Sequence, residues 1–154
     1  MLSDGERAEI DRALAESPDA RAACIDALKI VQRHRGWVSD EALDSVAEAL
    51  RMDPAELDGV ATFYNIILRE PVGRHVIRIC DSVSCWLLGY EQVRDDLLQR
   101  LSVEFAETTA DERFTVLPIV CLGACDHAPV CMVDEDLHLD LTPGKLEQML
   151  AGYE

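Results

Sequence analysis

Basic residues are scarce in this chain: 14 Lys and Arg stand against 30 Asp and Glu, a net charge of −16 over 154 residues. Binding to phosphate-rich surfaces runs on clustered Lys and Arg, so the balance argues strongly against nucleic acid or an anionic membrane as partner. Long apolar runs are missing too. A run such as Val116 to Ala124 falls far short of the roughly 20 residues that span a bilayer, and Pro118 and Gly123 interrupt it. No direct membrane insertion is expected. The opening Met1-Leu2-Ser3-Asp4-Gly5-Glu6 lacks a basic flank leading into an apolar stretch, so no signal peptide is expected and the chain reads as cytoplasmic. There is no G-x-G-x-x-G for a dinucleotide, no P-loop and no nucleophile elbow. The C-x-x-C of a dithiol redox centre is absent as well. Nothing in the chain points to catalysis by its own side chains.

What is present begins with a core. Apolar residues make up 49% of the chain, enough for one ordinary domain or a small domain with an appendage. The pattern is α+β, with a helical part over residues 1–70 and a sheet-forming part over 71–154. In the first part Ser17-Pro18 reads as a helix start, with Ile25, Leu28 and Val31 at helical spacing and Gly36 as the stop. Ser39 caps a further helix through Leu50, with Leu43, Val46, Ala47 and Leu50 on one face. Asp53-Pro54-Ala55-Glu56 reads as a capping box that leads to Phe63 and Tyr64. Trp37, Phe63 and Tyr64 read as packing residues between these helices.

Beyond Pro71-Val72-Gly73 the period changes. His75–Cys80, Arg113–Leu117, Val130–Val133 and Leu137–Leu141 read as strands. Trp86–Leu101 reads as one helix whose stripe is Leu87, Leu88, Val93, Leu97 and Leu101. Thr142-Pro143 opens a last helix with Leu146 and Leu150. This β-α-β-β-β-α order resembles a reduced thioredoxin-like fold.

The chemistry lies in the cysteines. Six thiols in a reducing compartment do not read as disulfide staples, so their spacing matters. Cys80-Asp81-Ser82-Val83-Ser84-Cys85 is a C-x4-C pair after the first strand, and Cys121-Leu122-Gly123-Ala124-Cys125 a C-x3-C pair after the second. If those strands are parallel neighbours, both loops leave the sheet at one end and four sulfurs can converge. Four thiolates suffice for a [2Fe–2S] centre, with each pair gripping one iron. Gly123 lets the backbone approach closely, and a helix start at Cys85 favours its thiolate. Structural zinc also takes four thiolates, although its knuckles are mostly C-x2-C. Four unrelated core thiols are a third reading. Cys24 in an amphipathic helix and Cys131 in a strand read as core, and His127 as a solvated loop residue.

Several stretches carry a resemblance: Ala27–Gln32, Arg35-Gly36-Trp37-Val38, Gly59–Tyr64, Pro71–Arg78, Cys80–Cys85, Leu117-Pro118, Cys121–Asp126 and Asp134–Pro143. Together, in order and over nearly the whole chain, they resemble the thioredoxin-like [2Fe–2S] subunits of bacterial NADH:quinone oxidoreductase (respiratory complex I). The resemblance implies an N-terminal helical bundle followed by a thioredoxin-like [2Fe–2S] ferredoxin domain. It implies one [2Fe–2S] cluster on Cys80, Cys85, Cys121 and Cys125, with Cys24 and Cys131 outside the ligand set. The implied partners are the NADH- and FMN-binding subunit, which supplies single electrons, and other peripheral-arm subunits on the cytoplasmic side of the inner membrane. It places the chain in a proton-translocating oxidoreductase in which the isolated chain does no catalysis. Related modules serve NAD-linked formate dehydrogenases and hydrogenases, and a zinc-holding scaffold is the reading from a different class. With four thiolates and a surplus of carboxylates, the expected potential is low, in the region of roughly −400 mV.

Overall fold

A helix begins in the first part of the chain wherever a short polar side chain can close the open N–H groups of a first turn. The computed structural model describes residues 1 to 154, which fall into two compact units, Met1–Pro71 and Val72–Glu154. The first holds α1 (Asp4–Glu16), α2 (Ala20–Arg35), α3 (Asp40–Leu50) and α4 (Pro54–Phe63). Ser3 and Glu6 form a full capping box at α1, a helix not singled out from the sequence. Asp19, not Ser17, caps α2 through a 2.9 Å bond from the Ala22 N–H. Ser17 precedes a proline, which drives it to extended backbone, and it therefore ends α1. Asp53 caps α4, but Glu56 does not complete a box there and pairs with Arg21 at 2.8 Å. Gly36, at φ 84°, closes α2 as expected.

Ile10, Leu28, Val31, Val46 and Leu57 are fully buried and form the centre of this unit. Phe63 is not among them. It is 79% exposed and meets only Tyr64 edge-on, with ring centroids 5.2 Å apart. The buried face of α4 runs through Leu57 and Ala61, and two residues further on the helix has turned by about 200°. The segment after α4 is held by Gln32, whose amide donates to Ile66 O at 3.0 Å and accepts from Leu68 N at 2.6 Å. Arg69 adds bonds to Val38 O, Asp40 and Asp58.

The second unit holds β1 (His75–Cys80), α5 (Val83–Leu87), α6 (Tyr90–Leu101), β2 (Phe114–Ile119), a 3-10 turn (Cys125–His127), β3 (Cys131–Val133), β4 (Asp136–His138) and α7 (Pro143–Ala151). Sheet order is β2-β1-β3-β4, with β1 and β2 parallel and the other pairs antiparallel. Ile77, Ile79, Phe114, Val116 and Val133 pack with Leu97 and Leu146 in its core. The helix expected over Trp86–Leu101 is two helices, broken at Gly89, whose φ of 108° suits only glycine. Leu87 and Leu88 thereby leave the predicted stripe for solvent, while Val93 and Leu97 stay buried. β4 starts at Asp136 and stops at His138, because Asp140 at φ 49° turns the chain back before Leu141.

Candidate metal centre

Parallel pairing settles where the two cysteine loops begin. Cys80, the last residue of β1, lies opposite Ile119, the last residue of β2, so both strands end at the same edge of the sheet. Backbone bonds hold this end closed: Asp81 N donates to Ile119 O at 3.0 Å, and Cys80 N to Val130 O at 3.1 Å. The Cys80 sulfur lies 3.7 Å from Val120 O, across the strand gap. From Asp81 the chain enters α5, which carries Cys85 in its first turn. From Val120 it runs through Cys121 and Gly123 into the turn that begins at Cys125.

The four thiols divide into an inner and an outer pair. Cys80 and Cys85 are buried; Cys121 and Cys125 are exposed. Burial first, then the neighbouring Cys80 and Cys125 thiols, push Cys85 up to about 11, against a lowering contact with the Val130 backbone. Cys85 lies in the first turn of a helix of only five residues. A thiol held protonated in this way ionises when a metal displaces its proton. Gly123 adopts a φ of 79°, a left-handed conformation that suits glycine, and no protein atom lies within 4 Å of where a Cβ would stand. That turn lets its N–H point at the Cys121 sulfur, 3.4 Å away.

No three His, Cys, Asp or Glu side chains gather closely enough to hold a metal ion. Cys80 and Cys85 share the buried side of this sheet end, and Cys121 and Cys125 lie exposed on the loop after β2. Two pairs, one from each loop, suit a binuclear group that takes two thiolates per iron. Cys131 points elsewhere. It is fully buried in the core, its sulfur is 3.4 Å from the Met149 sulfur, and burial pushes it up to about 12. Cys24 is buried in the first unit. His127 is exposed and tied to Asp140 at 3.1 Å.

Two features of this end escape a reading of the sequence. Val83, Trp86, Leu87, Leu88 and Val120 are large apolar side chains left exposed beside the cysteine loops. Arg78, two residues before Cys80, is 8% exposed and its Nε has no hydrogen-bond partner. The signal for Arg78 was there as a lone cation inside the apolar strand Val76-Ile77-Arg78-Ile79.

The thioredoxin-like [2Fe–2S] ferredoxin family matches residues 10–154. The E subunit of NADH-quinone oxidoreductase from Pseudomonas aeruginosa is 46% identical over 153 residues, 99% of this chain and 92% of the relative. Its counterpart in Escherichia coli K12 is 48% identical over the same shares. Among solved structures, NAD+-reducing [NiFe]-hydrogenase in the air-oxidized state superposes with a TM-score of 0.68 at 22% identity, over 80% of this chain and 22% of that one. That likeness is one of fold.

Proposed function

Because this chain belongs to the thioredoxin-like [2Fe–2S] ferredoxins and, within them, to the E subunits of NADH-quinone oxidoreductase, we propose that Cys80, Cys85, Cys121 and Cys125 hold its [2Fe–2S] cluster and pass single electrons for that complex. The observation that carries the ligand assignment is the common edge at which parallel β1 and β2 release both cysteine loops. Bound there, a [2Fe–2S] cluster supplies one-electron redox chemistry. Cys80 and Cys85 would hold the group from the buried side of the sheet end, and Cys121 and Cys125 from the exposed loop. Gly123 turns that loop so that its N–H rests on the Cys121 sulfur.

The electron donor in this reading is the FMN- and NADH-binding subunit of the same complex. With no dinucleotide or flavin motif, this chain depends on that subunit to split a hydride's electron pair. The helical unit, residues 1–70, docks that partner, and its exposed Phe63, Tyr64 and Ile66 are covered on binding. The second unit, 71–154, holds the cluster. The complex works on the cytoplasmic side of the inner membrane and couples electron flow to proton translocation. No helix of the chain is long and apolar enough to cross a membrane. Chemical analysis of protein purified without oxygen tests the reading: iron and acid-labile sulfide in equal amounts with no zinc are expected. Zinc without sulfide would make the site a structural scaffold.

A further inference from the structure

The two pairs of cysteines are supported very differently. Cys80 is the last residue of β1 and Cys85 lies in α5, but residues 121–128 hold no strand and only the three-residue turn Cys125–His127. Bonds inside this stretch are local: Gly123 N donates to the Cys121 sulfur at 3.4 Å, and His127 N to Ala124 O at 3.0 Å. Leu122, Ala124 and Ala128 are partly buried against the core of the second unit. Every hydrogen bond that ties residues 121–128 to the rest of the chain ends on Asp140. Asp140 N donates to His127 O at 2.8 Å, and His127 Nδ1 lies 3.1 Å from Asp140 Oδ2. A carboxylate only accepts, so the ring nitrogen is the donor there. Asp140 itself is firmly based. Leu141 beside it is buried in the core and donates to Pro129 O at 2.9 Å, and Leu139 packs on the same core. Between them Asp140 stands at φ 49°, a left-handed conformation uncommon outside glycine and least costly for Asn and Asp. Backbone held there is over-determined by its surroundings.

We propose that Asp140 is a positioning residue for the exposed ligand pair: from the loop between β4 and α7 it fixes the turn that begins at Cys125 and holds that ligand in place for the [2Fe–2S] group. The inference rests on the ligand assignment proposed above. The buried pair needs no such tether, because β1 and α5 carry it. On the exposed loop the bond from His127 Nδ1 to Asp140 Oδ2 is the one side-chain contact that resists lifting of the turn.

The test measures how fast excess chelator removes iron from the anaerobic protein, and the electron paramagnetic resonance of the reduced cluster, in wild type, Asp140→Asn, Asp140→Gly and Asp140→Ala. Asn keeps an acceptor for His127 and tolerates the left-handed backbone. Gly keeps the backbone bond and relieves the strain, so it isolates the loss of the side-chain bond. Ala loses the bond and keeps the strain. All variants should bind as much iron and sulfide as wild type. Asn should release iron at the wild-type rate. Gly and Ala should release it about fivefold faster, the factor that one hydrogen bond of ordinary net strength represents, and both should broaden the resonance. Urea midpoints of metal-free wild type, Asn and Gly should coincide, which places the effect on the turn and not on the fold. If Gly fails to fold, Ala against Asn decides. Wild-type release with an unchanged spectrum in Gly and Ala, or Asn as fast as they are, would overturn the positioning role. So would a Gly midpoint well below wild type, which would make Asp140 an ordinary stabilising residue. Wild-type protein without iron and sulfide would instead refute the functional reading beneath it.

Discussion

Cys85 and Cys131 form a matched pair for asking whether a buried thiol is a ligand or packing. Their exposures are 1% and 0%, and burial holds both up as thiols, at about 11 and about 12. Changing either to Ala removes one sulfur from a closed site. For Cys131 the sulfur contact with Met149 at 3.4 Å is lost and a small void remains. The cost should be about 1–2 kcal/mol, the ordinary range for a single small truncation. Cys85→Ala should cost the apoprotein much the same. Cluster content should separate the two sharply. Cys131→Ala should keep iron, sulfide and visible absorption at wild-type levels, while Cys85→Ala should lose nearly all of them, since one iron would lack a thiolate. Urea unfolding of the metal-free variants measures the first quantity, and iron and sulfide assays with visible spectra measure the second. A colourless Cys131→Ala, or a fully loaded Cys85→Ala, would refute the assignment.

Glu6 carries a pH prediction. Its carboxylate, 2% exposed, takes bonds from Arg35 at 2.6 and 2.7 Å and from Ser3 N at 2.7 Å. Chiefly through Arg35, it is held down at about 2 against an ordinary 4.5. The stabilisation is complete above about pH 4.5 and fades as pH falls towards 2. Glu6→Gln should therefore cost about 2 kcal/mol at pH 7, allowing for the partly exposed Arg35. In urea melts followed by helicity, that gap should close near the acid end, and a gap constant with pH would exclude the ion pair as its cause. Phe63→Ser should leave cluster content intact but weaken co-purification with the flavin-bearing subunit; unchanged co-purification would rule out docking through that residue. Purified chain with its cluster but no flavin should show no steady NADH:ferricyanide turnover, and turnover there would overturn the dependence on a partner.

Much of the architecture was legible because it depends on local chemistry. The punctuation at Gly36, Ser39, Asp53 and Thr142-Pro143 marks helix ends through backbone rules that hold in any context. β1 stands out as an apolar run after Pro71-Val72-Gly73. The convergence of the two cysteine loops needed only the inference that β1 and β2 are parallel neighbours, and they are. What stayed hidden depends on tertiary placement. Leu87 and Leu88 fit a helical stripe as well as Val93 does, and only the positive φ of Gly89 removes them from it. Phe63 is apolar enough for a core but sits on the wrong side of α4. That Arg78 Nε is buried without a partner became visible only in the structure.

The division of the thiols into a buried and an open pair sets the order in which this protein ages. In the metal-free chain an alkylating reagent or oxidant meets Cys121 and Cys125, while Cys80 and Cys85 stay behind the sheet end. Oxidative damage therefore starts on the loop after β2, whose exposed thiols react without the core opening. The inner pair keeps its sulfurs unreacted for as long as β1 and α5 stay folded. Where that oxidation stops at a sulfenic acid or a disulfide, a reductant with fresh iron and sulfide restores the site, and the chain need not be made anew.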